Sequence, residues 1–85
     1  MNNATFKLLL SFVTPDGTYT EHESIHTDLE DILEEADEIA FATTGYPTEV
    51  WHSLHFDDVN QLFTYYPNED DRTSRYKLSI TEASE

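Results

Sequence analysis

Apolar residues first alternate. In Thr5-Phe6-Lys7-Leu8-Leu9-Leu10-Ser11-Phe12-Val13, Phe6, Leu8, Leu10 and Phe12 share one face at period two, while Leu9 and Val13 share the other. Alternation belongs to a pleated strand, and apolar residues on both faces make it a largely buried one. Pro15-Asp16-Gly17 supplies a fixed φ, a turn-capping carboxylate and a residue free to take positive φ, which predicts a hairpin into a second strand over about Thr18 to His26. The period then lengthens. Leu29, Ile32, Leu33, Ala36, Ile39 and Ala40 recur at helical intervals behind Thr27-Asp28-Leu29-Glu30, which has the spacing of a capping box, so a helix is expected through about residue 42.

Gly45 can take the left-handed cap and Pro47 cannot continue a helical ladder, so Thr43-Thr44-Gly45-Tyr46-Pro47 ends that helix. Glu49 to Phe56 alternates again, with Val50, Leu54 and Phe56 opposite Trp51, Ser53 and His55, and reads as a strand. Asp57-Asp58-Val59-Asn60 reads as a turn into a short strand, Gln61 to Tyr66, although 58–66 also fits a second helix. After the polar loop Pro67 to Arg72, Tyr76, Leu78 and Ile80 alternate along a last strand before a polar tail. The expected fold is α+β: a single antiparallel β-sheet with one helix packed on a face, ββαβββ, as a single domain over residues 1–85. No internal repeat or linker divides it.

Charge changes the picture more than length does. With 18 Asp plus Glu against 4 Lys plus Arg, the net charge is −14, which repels DNA, RNA and anionic membranes and calls for a basic partner. The chain is still 38% hydrophobic, enough to fold despite that charge. No cysteine is present, so neither disulfides nor thiolate zinc sites form, which suits a reducing cytoplasm. Met1-Asn2-Asn3-Ala4-Thr5 lacks the basic residues of a leader, and Phe6 to Val13 is far shorter than the ~20 residues of a membrane span.

The predicted helix carries Asp28, Glu30, Asp31, Glu34, Glu35, Asp37 and Glu38 without one Lys or Arg. Like charges three or four residues apart cost about 0.2–0.5 kcal/mol each, and acids near a helix C-terminus oppose its dipole. On that reasoning, replacing Asp37 or Glu38 by Lys is expected to stabilise the chain. A functional explanation is phosphate mimicry: carboxylates two residues apart on a strand, such as Glu21 and Glu23, sit ~6.6–6.8 Å apart, and helical neighbours ~5–6 Å, both near the spacing of successive phosphates. The plainer explanation is an acid coat for solubility or a salt-rich cytosol, spread over every surface.

Glu23-Ser24-Ile25, at the end of a predicted strand and just before an acidic helix, resembles the Glu-Ser-Ile signature of the phage uracil-DNA glycosylase inhibitor family. Asp28-Leu29-Glu30-Asp31-Ile32-Leu33 looks like the helix that follows the signature, and His52-Ser53-Leu54-His55-Phe56-Asp57 like the family's next strand. The likeness covers roughly Tyr19 to Ile80. The family opens with a short helix where this chain has Phe6 to Val13, and it has a last strand this chain lacks; the first strand is expected to fill that place at the sheet edge. The resemblance implies a DNA-mimic inhibitor that occupies the glycosylase's DNA groove stoichiometrically, a phage device for evading host defence in the bacterial cytoplasm. Glu21, Glu23, Ser24 and Ile25 would form the strand that enters the groove, with Asp28 and Asp31 as further phosphate surrogates. Leu29, Ile32, Leu33 and Leu62, with Trp51 as lining or roof, would enclose the apolar side chain that such enzymes push into the base stack. Plain core packing is the other reading of these apolar residues.

Catalytic chemistry finds little support. His22, His26, His52 and His55 lack metal-site spacing, Asp57-Asp58 and Glu69-Asp70-Asp71 fit no EF-hand, and Gly17 and Gly45 cannot build a phosphate loop. The expected function is binding without catalysis, cofactor or metal. Another DNA-mimic target, in restriction, CRISPR defence or transcription by RNA polymerase, is the alternative.

Overall fold

The computed structural model describes residues 4–84. In chain order these form β1 (Ala4–Thr14), β2 (Gly17–His26), α1 (Leu29–Thr44), a 3-10 turn (Thr48–Val50), β3 (His52–His55), β4 (Gln61–Tyr65) and β5 (Arg75–Ser84). The strands make one antiparallel sheet in the spatial order β2-β1-β5-β4-β3. The expected α+β class holds. However, β1 does not fill a sheet edge: its apolar residues on both faces place it between β2 and β5, and the edges are β2 and β3. No polar tail follows Ile80 either, because β5 pairs with β1 as far as Ser84 opposite Ala4.

Period two decides which side chains meet α1. Phe6, Leu8 and Leu10 of β1, Leu78 and Ile80 of β5 and Phe63 of β4 join Ile32, Ala36 and Ala40 of α1 and Trp51 in one buried core. Leu8, Ile32, Ala40, Leu78 and Ile80 are fully enclosed. Burial of a leucine or isoleucine side chain contributes about 1.5–3 kcal/mol, so in a domain of this size each of those four is a large share of net stability. Small Ala36 and Ala40 let the helix lie close on the strands.

Asp28, not Thr27, caps α1: its carboxylate accepts the Glu30 N–H at 2.9 Å. Gly45 ends the helix at φ 83°, its N–H donating to the Phe41 carbonyl at 2.7 Å. Beyond it, the strand expected over Glu49 to Phe56 begins only at His52. Asp37 on α1 accepts both the Thr48 N–H at 3.0 Å and its hydroxyl at 3.1 Å, and this long-range cap winds Thr48–Val50 into a 3-10 turn. Val50 is left exposed, whereas Trp51 is buried with its indole N–H donating to the Tyr46 carbonyl at 3.1 Å.

Residues 58–66 resolve in favour of a strand. The Phe56 N–H donates to the Asn60 carbonyl at 2.9 Å, which turns the chain back as a hairpin, and Asp57 accepts from the backbone N–H groups of Val59 and Asn60 and from the Asn60 amide inside that turn. These bonds hold its carboxyl below the ordinary range, the Asn60 backbone contact being the strongest cause. β4 then pairs with β3 on one side and β5 on the other.

Candidate protein-interaction surface

Acids gather where the helix adjoins the β2 edge. Along α1, Glu30, Asp31, Glu34 and Glu38 are exposed, and among the described residues none has a cationic partner within ion-pair distance. Glu30 and Asp31 gain from the positive end of the helix dipole, whereas Glu34 and Glu38, four residues apart in the middle of α1, only repel each other. Asp37 is different. Its bonds to Thr48 give it a structural task that the charge pattern alone does not reveal.

Glu21 and Glu23 are both exposed on β2, but the even spacing expected of them is interrupted. Leu10 pairs with His22 and Ser11 with Thr20, so the ladder skips Glu21 in a β-bulge. Glu23 lies opposite Leu9, and its carboxylate meets Lys7 Nζ at 2.8 Å. Both groups of that pair are about half exposed, so it contributes roughly 0–1 kcal/mol and leaves Glu23 reachable. Ile25, opposite Lys7, is 65% exposed at the same edge.

Between these two acids and Ile25, the intervening side chains point toward α1. Ser24 donates its hydroxyl to Glu35, while His26 Nε2 and His22 Nε2 stand 3.2 Å and 3.5 Å from the same carboxylate oxygen. Neither ring is angled to form a hydrogen bond there, and both nitrogens are buried without one. The Ser24 hydroxyl, and then contacts with His26 and His22, hold the Glu35 carboxyl below its usual range against the opposing effect of burial. This cluster ties the edge strand to the helix. Sequence reasoning weighed the histidines only as metal ligands, although two-residue alternation already places His22, Ser24 and His26 on one face.

The apolar group expected to enclose an inserted side chain is not brought together. Ile32 and Trp51 belong to the closed core, Leu29 packs against it, and Leu33 lies on the outer side of α1, 36% exposed. Leu62 is on the other face of the sheet: it pairs with Ser79, whereas its neighbour Phe63 pairs with buried Leu78 and fills the helix side. The remaining positions share an edge but divide between its faces, Glu23 and Ile25 being paired with Leu9 and Lys7 on the side away from α1. Glu21, Glu23 and Ile25 lie along one edge, and Asp28 and Asp31 lie in the first turn of the helix that packs on it, with Asp28 engaged as its cap. No family model, curated protein or solved structure matches the chain.

Cations are distributed as unevenly as the acids. Arg72 bonds Glu69 at 2.8 Å and lies 4.6 Å over the Tyr66 ring. The other three, Lys7, Arg75 and Lys77, are on β1 and β5 at positions whose register sets them on the sheet face away from α1. Among the described residues, no three His, Cys, Asp or Glu side chains group to hold a metal, and no helix is long and apolar enough to cross a membrane.

Proposed function

We propose that the chain binds a basic, DNA-binding protein through the exposed side of α1 and the adjoining β2 edge, and so competes with nucleic acid for that protein's groove. The observation that carries this reading is the row Glu30, Asp31, Glu34 and Glu38, exposed and unpaired with any cation among the described residues. Nine of the eighteen acids fall within residues 21–38, and three of the four cations stand on the sheet face away from α1. Repulsion within the row is a standing cost to the free protein, and a basic groove relieves it on binding. Long-range attraction speeds encounter, while exposed Ile25, Leu33 and Phe41 offer apolar contacts that slow dissociation.

Uracil-DNA glycosylase is the target we favour, on the strength of Glu23-Ser24-Ile25 and the acidic helix after it. Glu23 and Asp31 act as phosphate surrogates, Ile25 as the apolar contact of the strand end, and Ser24 as the residue that fixes that strand to α1. The setting is the cytoplasm of a bacterial host, and the action is stoichiometric, without cofactor or catalysis.

A second reading keeps the surface and changes the target. It is favoured by the separation of Leu62 from Leu29, Ile32 and Leu33, since an enzyme that inserts an apolar side chain needs a receiving pocket. Uracil excision from a single-stranded uracil oligonucleotide, titrated with this protein at two salt concentrations, separates the two. Loss of activity at a one-to-one ratio, persisting at high salt, supports the glycosylase. Full activity at large excess excludes it and leaves restriction, CRISPR and transcription proteins as targets.

A further inference from the structure

On the sheet face away from α1 the chain forms a groove of about 360 Å³ along β5, between β1 and β4. Its walls follow from register. Ser79 lies between Leu9 and Leu62, Lys77 between Ser11 and Thr64, and Arg75 beside Val13. Small Ser79 between two leucines makes an aliphatic trough at one end. At the other end are two cations, two residues apart on one strand and so ~6.7 Å apart at their Cα atoms. Lys7 is engaged by Glu23 and Arg72 by Glu69, but among the described residues neither Arg75 nor Lys77 has an acidic or hydrogen-bonding partner. Both are partly covered, as are Leu9, Val13 and Leu62.

We infer that this groove is a binding site for a small amphiphilic anion, an aliphatic carboxylate whose head meets Arg75 and Lys77 and whose chain lies over Leu9 and Leu62. The two cations, unusual in a chain of net charge −14, set the sign of the ligand. The planar guanidinium of Arg75 matches a carboxylate in fork geometry, and the Lys77 ammonium adds a point charge. Size and long-range charge then limit what else fits. The volume is at the small end of the roughly 300–1,000 Å³ of ligand sites. A nucleic acid or an anionic bilayer would extend past the groove and meet the acids around it, whereas a compact monoanion is confined to the two positive groups. The groove is on the other side of the sheet from the acid row of α1, and Glu23, paired with Leu9, stands at its rim on the same face.

The test is titration of the full chain with decanoate below its micelle concentration, followed by backbone amide chemical shifts. Saturable shifts confined to β1, β4 and β5, weakened at least about tenfold in the Arg75→Gln/Lys77→Gln variant, support the site. Ser79→Leu fills the trough and leaves both charges in place, so it should weaken decanoate to a similar degree while the remaining amide spectrum stays native. Equal shifts with decyltrimethylammonium, or shifts that do not saturate, overturn the inference. So does preferential association with phosphatidylglycerol vesicles, which would make the face a membrane contact.

Discussion

Ser24 and Glu35 join the edge strand to the helix, and their coupling can be measured free of the surrounding charge. Glu35→Ala alone is a poor probe. It removes the acceptor of the Ser24 hydroxyl and the carboxylate facing His22 and His26, yet it also relieves repulsion from Asp31 and Glu38, one turn away on either side. Two like-charge pairs at about 0.2–0.5 kcal/mol each come to roughly 0.4–1 kcal/mol of relief. A hydrogen bond to a charged group is worth ~1.5–3 kcal/mol, and the Glu35 side chain is 27% exposed, so we discount the bond to about 1 kcal/mol. The two effects nearly cancel in the single variant. In a cycle with Ser24→Ala the relief occurs in both backgrounds and drops out, leaving a coupling of about 1 kcal/mol in urea unfolding at pH 7. The pH dependence has a fixed sign. Since the folded Glu35 carboxyl lies below its ordinary value of 4.5, its stabilisation is complete above that value and is lost as pH falls through the folded one. A neutral acid keeps a bond roughly half as strong, so coupling should drop to about half in strong acid. Coupling within the ~0.3 kcal/mol scatter of additive sites at pH 7, or coupling that rises on acidification, would refute the reasoning.

Four further outcomes follow from other contacts. Asp37→Lys should lower the urea midpoint, by about 1 kcal/mol in stability, because the two bonds to Thr48 outweigh the relieved repulsion, whereas Glu38→Lys, with no such bonds, should raise it by a few tenths. Gly45→Ala forces a side chain into the left-handed region at φ 83° and should cost about 1–2 kcal/mol in the same assay, despite open space around the added carbon. Glu23→Lys should change stability by no more than about 1 kcal/mol, its pair with Lys7 being half exposed, while weakening inhibition of the target strongly; undiminished inhibition in the uracil-excision titration would remove Glu23 from the interface.

Local patterns carried much of the fold. The alternation of Phe6, Leu8 and Leu10, the helical recurrence of Ile32, Ala36 and Ala40, and the positive φ at Gly45 are each decided within a few residues, and each appears as the sequence suggests. What misled was decided farther away. Glu49 and Val50 begin a stretch that alternates like a strand, and a carboxylate eleven residues before Thr48 winds Thr48–Val50 into a turn. Leu62 and Phe63 are adjacent apolar residues in a strand, so sequence cannot say which faces the helix; pairing with Ser79 and Leu78 decides it. Asp28 and Asp37 read as spare charge on a helix that lacks cations, until their hydrogen-bond partners are seen. Arg75 and Lys77 passed unnoticed because their meaning lies in the β1 and β4 residues beside them.

The bulge at Glu21 also bears on how the molecule keeps to itself. β2 is a ten-residue border strand with no neighbour on its outer side among the described residues, the shape that lets one chain add to another in an endless ribbon. A skipped residue breaks the flat row of amides, and Glu21 and Glu23 would set carboxylate beside carboxylate in any second copy that tried to pair there. Both safeguards lie in the strand that carries the proposed recognition residues. The charge guard goes when both acids are replaced, so fibrils of a Glu21→Gln/Glu23→Gln variant, under conditions where the parent chain stays dispersed, are the aggregation behaviour expected of this border strand.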